Sequence, residues 1–388
     1  RVRKIYTATV ILLPLLSMYF VGIATVTLAD IAIFILMPLL VINSYVHKKT
    51  VRWSTTLIII LLYITIQLLL YQIIGIAKNG ADLTTLRLIL YYSFCGFFID
   101  SYFDYKFGAN LLIYVSTASC ILWIIQYICL NNFNIFVPGT FPFLKTEVDE
   151  YNQIMYTHSW TSYAYSRPRS FFAEPSHFAI YNAMALVILF FGSNKGNDKI
   201  VKILIIVSML LSGSGMAIIL LSIICIMNLL FKKKNTNIKI KSIIMGLLLI
   251  LVGVICLPSY FQTDSFQTFV NRTFIEKDSA NGRFGNFIGA FTEEKNSFAV
   301  LFGEGIYKIS DTKKEKYITS IPRIYKYFGI IGFMLFLILS IFCFAKLRGI
   351  SMYSWIILFM ICFSSEILFN ILVIIYLPFI VKGEKNEE

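Results

Sequence analysis

Charged residues are scarce in this chain of 388 residues, because Asp, Glu, Lys and Arg together make up only 14% of it. Roughly 25% is usual in a soluble domain. The seven cysteines form no CxxC pair, and the three histidines stand in no HxxxH or HExxH arrangement. The sequence also has no zinc-finger spacing, no P-loop and no GxSxG nucleophile elbow. These absences exclude an ordinary soluble enzyme and a secreted disulfide scaffold, and no metal-binding set is apparent.

Apolar residues are abundant instead, at 58%, and they stand in long runs. A run of about 20 apolar residues crosses a bilayer core of about 30 Å. The runs lie at residues 5–23, 27–46, 54–77, 83–102, 109–130, 175–191, 199–212, 215–231, 242–259, 325–345 and 351–381. The last run is too long for one span, so we expect a hairpin there. The sequence therefore predicts an all-α polytopic integral membrane protein with about twelve transmembrane helices, in a single membrane domain over residues 1–388.

Lysine and arginine predict the orientation of these spans. They gather in alternate short connections, around residues 1–4, 48–52, 106, 195–202, 232–241, 346–348 and 382–385, whereas the other short turns hold only Lys78. Because basic residues favour the cytoplasmic side, both termini are expected in the cytoplasm. The net charge of +13 reflects this distribution, and no nucleic-acid partner is expected. The first run leads into the second without a small-residue cleavage site, so we expect a span there and not a signal peptide.

Two connections are much longer than the rest, at residues 131–174 and 260–324. Both are expected on the external side. The first is rich in Phe, Tyr, Trp and Pro, and the second contains helix-like stretches with aromatic residues. Long loops on a rigid scaffold often carry binding or catalytic residues. The two external loops are therefore the first places to look for function.

The densest group of polar residues lies where the first external loop returns to the membrane, as Arg-Pro-Arg-Ser-Phe-Phe-Ala-Glu-Pro-Ser-His-Phe over residues 167–178. Pro175 suits the first position of a helix, with Glu174 or a neighbour as its cap. A helix start attracts anions, and Arg167 and Arg169 add planar donors that suit phosphate oxygens. The alternative interpretation is an amphipathic entry segment with interfacial Arg and aromatic anchors.

Charged residues inside the spans are few, and Arg87, Asp100 and Glu366 stand out. Such residues usually face a cavity or a partner, although Arg87 and Asp100 also fit positions near the membrane interfaces. The second external loop has as many acidic as basic residues. Its arginines, such as Arg283, therefore matter individually or are simply solvated.

The sequence resembles the Wzy-type polymerases of O-antigen, capsule and exopolysaccharide, which belong to the O-antigen ligase/polymerase superfamily. The most specific likeness is the segment at 167–178, which is similar to the family pattern Arg-x-x-Ser-x-Phe-x-Glu-Pro-Ser-His-Phe. Weaker likenesses are the turn Ser212–Gly215, Arg283 followed by Phe302–Gly305, and Tyr327–Gly332. The layout of about twelve spans with two large external loops is also similar.

One departure from the superfamily pattern favours a polymerase over a ligase. Ligases usually carry a His shortly before the last glycine motif, whereas this sequence has Ile318–Ser320 at that place. The resemblance then implies a GT-C-like, O-antigen ligase-type fold in the bacterial cytoplasmic (inner) membrane. It also implies a metal-independent glycosyltransferase without a cofactor.

The implied substrates are undecaprenyl-pyrophosphate-linked oligosaccharides, which serve as both donor and acceptor, and the implied partners are membrane lipid and a chain-length regulator protein. Without a metal, protein cations must stabilise the pyrophosphate leaving group. We expect Arg167, Arg169 and Arg283 to bind it, Arg323 to hold the lipid carrier, and Glu174 or His177 to act on the acceptor hydroxyl. Two alternatives are an O-antigen ligase-type transferase and a lipid-linked sugar transporter or flippase. A polymerase is favoured over a transporter because intramembrane charges are few.

Overall fold

Helices dominate the computed structural model of the chain. The structure describes residues 1–21, 26–47, 61–67, 69, 81–133, 135, 137–141, 144–146, 168–192, 198–231, 297–305, 319–365 and 371–383. In chain order the elements are α1 (Val2–Leu16), β1 (Tyr19–Phe20), α2 (Leu28–Val46), α3 (Ala81–Tyr102), α4 (Tyr105–Phe133), β2 (Lys145–Thr146), α5 (Pro175–Phe191), α6 (Lys199–Leu211), α7 (Gly215–Phe231), α8 (Ser297–Phe302), α9 (Ser320–Lys346), α10 (Gly349–Ser364), a 3₁₀ helix (Ile371–Tyr376) and α11 (Leu377–Lys382).

Three of these helices, α2, α4 and α9, are long and apolar enough to cross a membrane. They coincide with the predicted runs at 27–46, 109–130 and 325–345. Shorter apolar helices occupy the runs near residues 175–191, 215–231 and 351–381. The chain is thus mostly helical, with helices of the length and apolar composition of membrane spans, whereas the count of about twelve spans and the GT-C-like fold stay predictions. The predicted run at 242–259 lies outside the described residues.

The chain divides into two units, which are described separately. The first comprises Arg1–Leu112, Pro142–Glu147 and Asn281–Glu388, and the second comprises Ile113–Phe141 and Val148–Ala280. The boundary falls within α4. The prediction of one membrane domain over 1–388 stays a prediction.

Aromatic packing forms the centre of the first unit. The ring of Tyr6 on α1 lies 5.1 Å from that of Phe94 and 6.3 Å from that of Tyr102, both on α3. Its hydroxyl donates to the Phe94 carbonyl at 3.1 Å, so the buried phenol is satisfied. Tyr102 in turn lies 2.8 Å, hydroxyl to hydroxyl, from Ser44 of α2. These contacts fix α1, α2 and α3 against one another.

Helix ends of the first unit meet in pairs. Lys382 at the end of α11 donates to the Phe103 carbonyl at 2.6 Å, just beyond α3. Ser320 at the start of α9 donates to the Ser365 carbonyl at 2.6 Å, just beyond α10. Each pair joins ends that the predicted topology puts on one side of the membrane.

A small β-ladder joins the first external loop to the connection between α1 and α2. Tyr19 pairs with Thr146 and Phe20 with Lys145, in antiparallel register. The chain then enters α2 at Thr27, whose hydroxyl accepts from the Asp30 N–H at 3.2 Å while the Asp30 carboxylate accepts from the Thr27 N–H at 2.8 Å. This reciprocal capping box starts the helix. Asp30 therefore belongs to the first turn of α2.

Helix α5 forms the core of the second unit. Every residue from Phe178 to Leu189 is buried, in contact with α6 and α7. A helix that is apolar on all sides suits such a position. The predicted turn at Ser212–Gly215 is confirmed between α6 and α7, where the Ser212 hydroxyl donates to the Met209 carbonyl at 2.7 Å. The second unit thus surrounds the helix that begins at the predicted site.

Candidate functional site

The arginine turn, defined here as residues 168–174, leads directly into α5. Pro175 is the first residue of α5 and Glu174 is its N-cap, as the sequence predicted. Trp123 of α4 donates from its indole N–H to the Pro168 carbonyl at 3.0 Å. The start of the turn is therefore attached to α4. Arg167, the preceding residue in the predicted set, lies outside the described residues.

The middle of the turn adopts an uncommon backbone conformation. Ser170 is the one non-glycine residue with a positive φ, 56°, in the described part of the chain. It is fully buried, and its hydroxyl donates to the Ser119 carbonyl of α4 at 2.6 Å. A left-handed conformation is costly for a residue with a Cβ and persists only where the surroundings fix it. The buried hydroxyl contact is one such constraint.

Gln126 of α4 supplies the main constraint on the turn. Its side-chain carbonyl accepts from the N–H groups of Arg169 at 3.2 Å and Ser170 at 2.7 Å. Sequence reasoning missed this residue. A polar amide within an otherwise apolar run could have pointed to it, because a buried amide needs partners.

The Arg169 guanidinium folds back toward the start of α5. Its Nη1 donates to the Ala173 carbonyl at 3.2 Å, and the side chain is half-buried. Ala173 immediately precedes the N-cap of α5, so a fixed cation lies beside a helix N-terminus. Both features attract anions. The described part of the turn thus holds the Arg169 guanidinium beside the start of α5, next to the Glu174 carboxylate.

Glu174 and His177 are the predicted acid–base candidates. The Glu174 side chain is exposed and its carboxylate accepts from the Ser176 hydroxyl at 2.9 Å, but it makes no capping bond to the helix. Glu174 therefore occupies the predicted N-cap position through its backbone, while its side chain bonds to Ser176. His177 is half-buried, one residue after Ser176 in the first turn of α5. An exposed carboxylate held by a serine is accessible to a bound hydroxyl.

The other two predicted arginines belong to the first unit. Arg283 lies outside the described residues. Arg323 lies in the first turn of α9, where its guanidinium carbon is 5.8 Å from the centre of the Tyr327 ring. The ring orients the cation at the beginning of a helix that is long and apolar enough to cross a membrane.

Two weaker motifs of the resemblance meet in the first unit. The Glu304 N–H donates to the Lys326 carbonyl at 2.8 Å, and the Gly305 N–H donates to the Tyr327 carbonyl at 3.0 Å. The Gln67 side chain donates to the same Tyr327 carbonyl. These bonds occupy carbonyls at a break in α9, where Gly329 has a φ of 64° and a ψ of −166°. The run predicted as one span at 325–345 therefore contains a break.

Arg87, which the sequence singled out, forms an ion pair. Its Nε and Nη2 donate to the two Asp30 carboxylate oxygens at 3.1 and 3.0 Å. Tyr91 of the same helix donates to Asp30 at 2.6 Å. The Arg87 side chain is 37% exposed and that of Asp30 only 6%. Sequence reasoning missed the partner because it lies on another helix; the spacing of Thr27 and Asp30 indicates only the start of α2.

The candidate site is identified by the geometry of the arginine turn and by the likeness of its sequence to the family pattern. Among the residues that the structure describes, no three His, Cys, Asp or Glu side chains come together as a metal-binding group. Asp100, which the sequence also singled out, is half-buried near the end of α3, whereas Glu366 lies outside the described residues. The sequence matches no model of a known protein family and no curated protein.

Proposed function

We propose that the protein is a polysaccharide polymerase of the bacterial cytoplasmic membrane. It transfers a glycan from undecaprenyl pyrophosphate to a sugar hydroxyl of another lipid-linked repeat unit, at the outer face of the membrane. Both termini lie in the cytoplasm. The observation that carries the proposal is the arginine turn, because a segment of family-like sequence holds a cation beside a helix N-terminus.

The reaction needs two kinds of group at the site. The bond from the sugar anomeric carbon to the pyrophosphate oxygen breaks, and a bond to the acceptor oxygen forms. Arg167, Arg169 and Arg283 bind the pyrophosphate as negative charge develops on it, in place of a metal ion. Arg323 holds the phosphate end of the lipid carrier.

The acceptor hydroxyl must lose a proton as it attacks. Glu174 and His177 are the two candidates for the base. The exposed Glu174 carboxylate, hydrogen-bonded to Ser176, is accessible from outside the turn. The proton passes to that base and then to water, and the product remains attached to the second lipid carrier.

The test is an assay of the purified full-length protein with a lipid-pyrophosphate-linked repeat unit and EDTA, analysed on a gel. A ladder of repeat multiples is expected. A single transfer to an added foreign acceptor, without a ladder, would replace the polymerase by a ligase. Lipid-linked sugar that crosses proteoliposome membranes without any transfer would indicate a transporter. A ladder that disappears with EDTA and returns with a divalent cation would contradict the metal-independent mechanism.

A further inference from the structure

The amide of Gln126 is saturated with hydrogen bonds. Besides accepting from the N–H groups of Arg169 and Ser170, it donates from Nε2 to the carbonyls of Val137 at 3.1 Å and Ser170 at 3.4 Å. An amide side chain has two acceptor positions and two donors, and all four are used here. Gln126 is 5% exposed, so water does not readily replace these bonds.

No other side chain reproduces this set of contacts. A glutamate at this position would keep the acceptors and lose both donors, which would turn a carboxylate oxygen toward two carbonyls. A methionine has a similar length and makes none of the four bonds. The Ser170 carbonyl also packs closely against Gly139, because an added Cβ at Gly139 would collide with it. The turn is therefore fitted to one particular side chain on α4.

These hydrogen bonds hold the backbone at Ser170, the residue with the left-handed conformation. Gln126 contacts both the N–H and the carbonyl of Ser170, whose φ is 56°. Without these contacts Ser170 is expected to relax toward a negative φ, which would rotate the peptide that carries Arg169. The Arg169 guanidinium would then leave its place beside Ala173.

We propose that Gln126 is a positioning residue for the reaction, acting through Arg169. It holds the arginine turn in the conformation in which the guanidinium lies beside the start of α5 and meets the pyrophosphate leaving group. This inference rests on the proposed polymerase function. It adds a residue that touches no substrate and that the motif likeness does not contain.

The test is a double-mutant cycle in the ladder assay. Gln126→Met is expected to lower kcat about 100-fold, because a displacement of about 1 Å at a positioned group has effects of that size. In an Arg169→Ala background the same change is expected to lower kcat by less than about threefold, since the group it positions is already gone. Asn131→Leu is the control, because Asn131 lies exposed on the same helix and, within the described residues, its side chain donates only to the Tyr127 carbonyl. It is expected to leave the rate unchanged.

Hydrogen exchange of residues 168–174 provides a readout that does not depend on activity. Gln126→Met is expected to speed exchange of the Arg169 and Ser170 amides at least tenfold. The exchange rates of the amides in α5 are expected to stay unchanged. If Gln126→Met does not yield folded protein, Gln126→Glu takes its place in the rate assay, where the same loss of kcat is expected because a carboxylate oxygen then faces the Val137 and Ser170 carbonyls. Its amide exchange is not compared, because glutamate keeps the acceptor of the Arg169 and Ser170 N–H groups.

The outcomes separate the two proposals. Rate losses that multiply in the double variant would make Gln126 a structural residue and overturn the positioning role, as would an unchanged rate or unchanged exchange in the single variant. In both cases the wild-type ladder would still support the polymerase. A wild-type protein that makes no ladder would overturn the proposed function and the positioning role together.

Discussion

In the first unit, the backbones of Gly303 and Gly329 pack closely because neither residue has a side chain. A Cβ on Gly329 would collide with the Leu301 carbonyl and the Gly303 nitrogen, and a Cβ on Gly303 would collide with the Tyr327 carbonyl. Both residues have positive φ, 82° and 64° respectively. Two motifs that are separated along the chain are therefore joined through positions that only glycine fits.

Gly329→Ala is expected to destabilise the protein strongly. Its φ of 64° with a ψ of −166° lies in a region that is essentially reserved for glycine, at a cost of about 1–3 kcal/mol for other residues. The collision with Gly303 adds to that cost. Thermal unfolding in detergent measures the effect, with the adjacent Ile330→Ala as control because Ile330 is 43% exposed. Equal unfolding temperatures for the two variants would contradict the tight contact.

Asp30→Ala is expected to lower the free energy of unfolding by about 1–3 kcal/mol. The change removes the shared acceptor of Arg87 and Tyr91 and also the capping-box bond from the Thr27 N–H to the Asp30 carboxylate. Denaturant unfolding of Asp30→Ala, Arg87→Met and the double variant measures the coupling. The double variant should lose less stability than the two single losses combined.

Arg348→Met serves as the control for this cycle. Arg348 is exposed, and its guanidinium donates only to the nearby carbonyls of Ala345 and Leu347 in the described part of the chain. Its removal is expected to change stability by less than about 0.5 kcal/mol. Fully additive losses for Asp30 and Arg87 would show that the ion pair contributes nothing.

Arg169→Ala is expected to slow chain elongation about 100-fold, because removal of a single donor to a developing oxyanion has effects of that order. Arg169→Lys should retain part of the rate, since it keeps the charge but loses the planar donor arrangement. Elongation rates from ladder intensity over time measure this. Normal membrane expression together with full polymer length for Arg169→Ala would remove the pyrophosphate role.

Glu174→Gln is expected to lower the rate about 100-fold or more if its carboxylate is the base. The amide keeps an oxygen for the Ser176 hydroxyl, so the local geometry should stay intact. Ser176→Ala is the control and is expected to retain most of the rate. Full activity of Glu174→Gln would leave the role to His177, and His177→Ala in the same assay would then show the loss.

Features set by neighbours along the chain were predictable from the sequence. Pro175 marked the start of α5, and the Ser212–Gly215 segment marked a turn, because proline and glycine act on the backbone locally. Features set by contacts between helices were not predictable. Nothing in a single sequence joins Asp30 to Arg87 or Gln126 to Ser170, and the break at Gly329 depends on Gly303.

The residues of the candidate site were likewise predicted in position but not in their contacts. The position of Arg169 before a helix start followed from local sequence, as did the N-cap position of Glu174. The partner of the Glu174 carboxylate, the Ser176 hydroxyl, was not predicted. Whether Arg169 and Arg323 act on one substrate stays a prediction, because they belong to different units.

The two-residue ladder between β1 and β2 changes the length of chain that the first external loop must close. Pairing of Phe20 with Lys145 divides the connection from Phe133 to the arginine turn into two shorter closures. Loop-closure entropy grows only slowly with length, by about 0.6 kcal/mol for each doubling, so residues can be inserted on either side of β2 at small cost. An insertion on one side of this anchor also leaves the other side unchanged. The loop can therefore vary in length without shifting the turn that precedes α5.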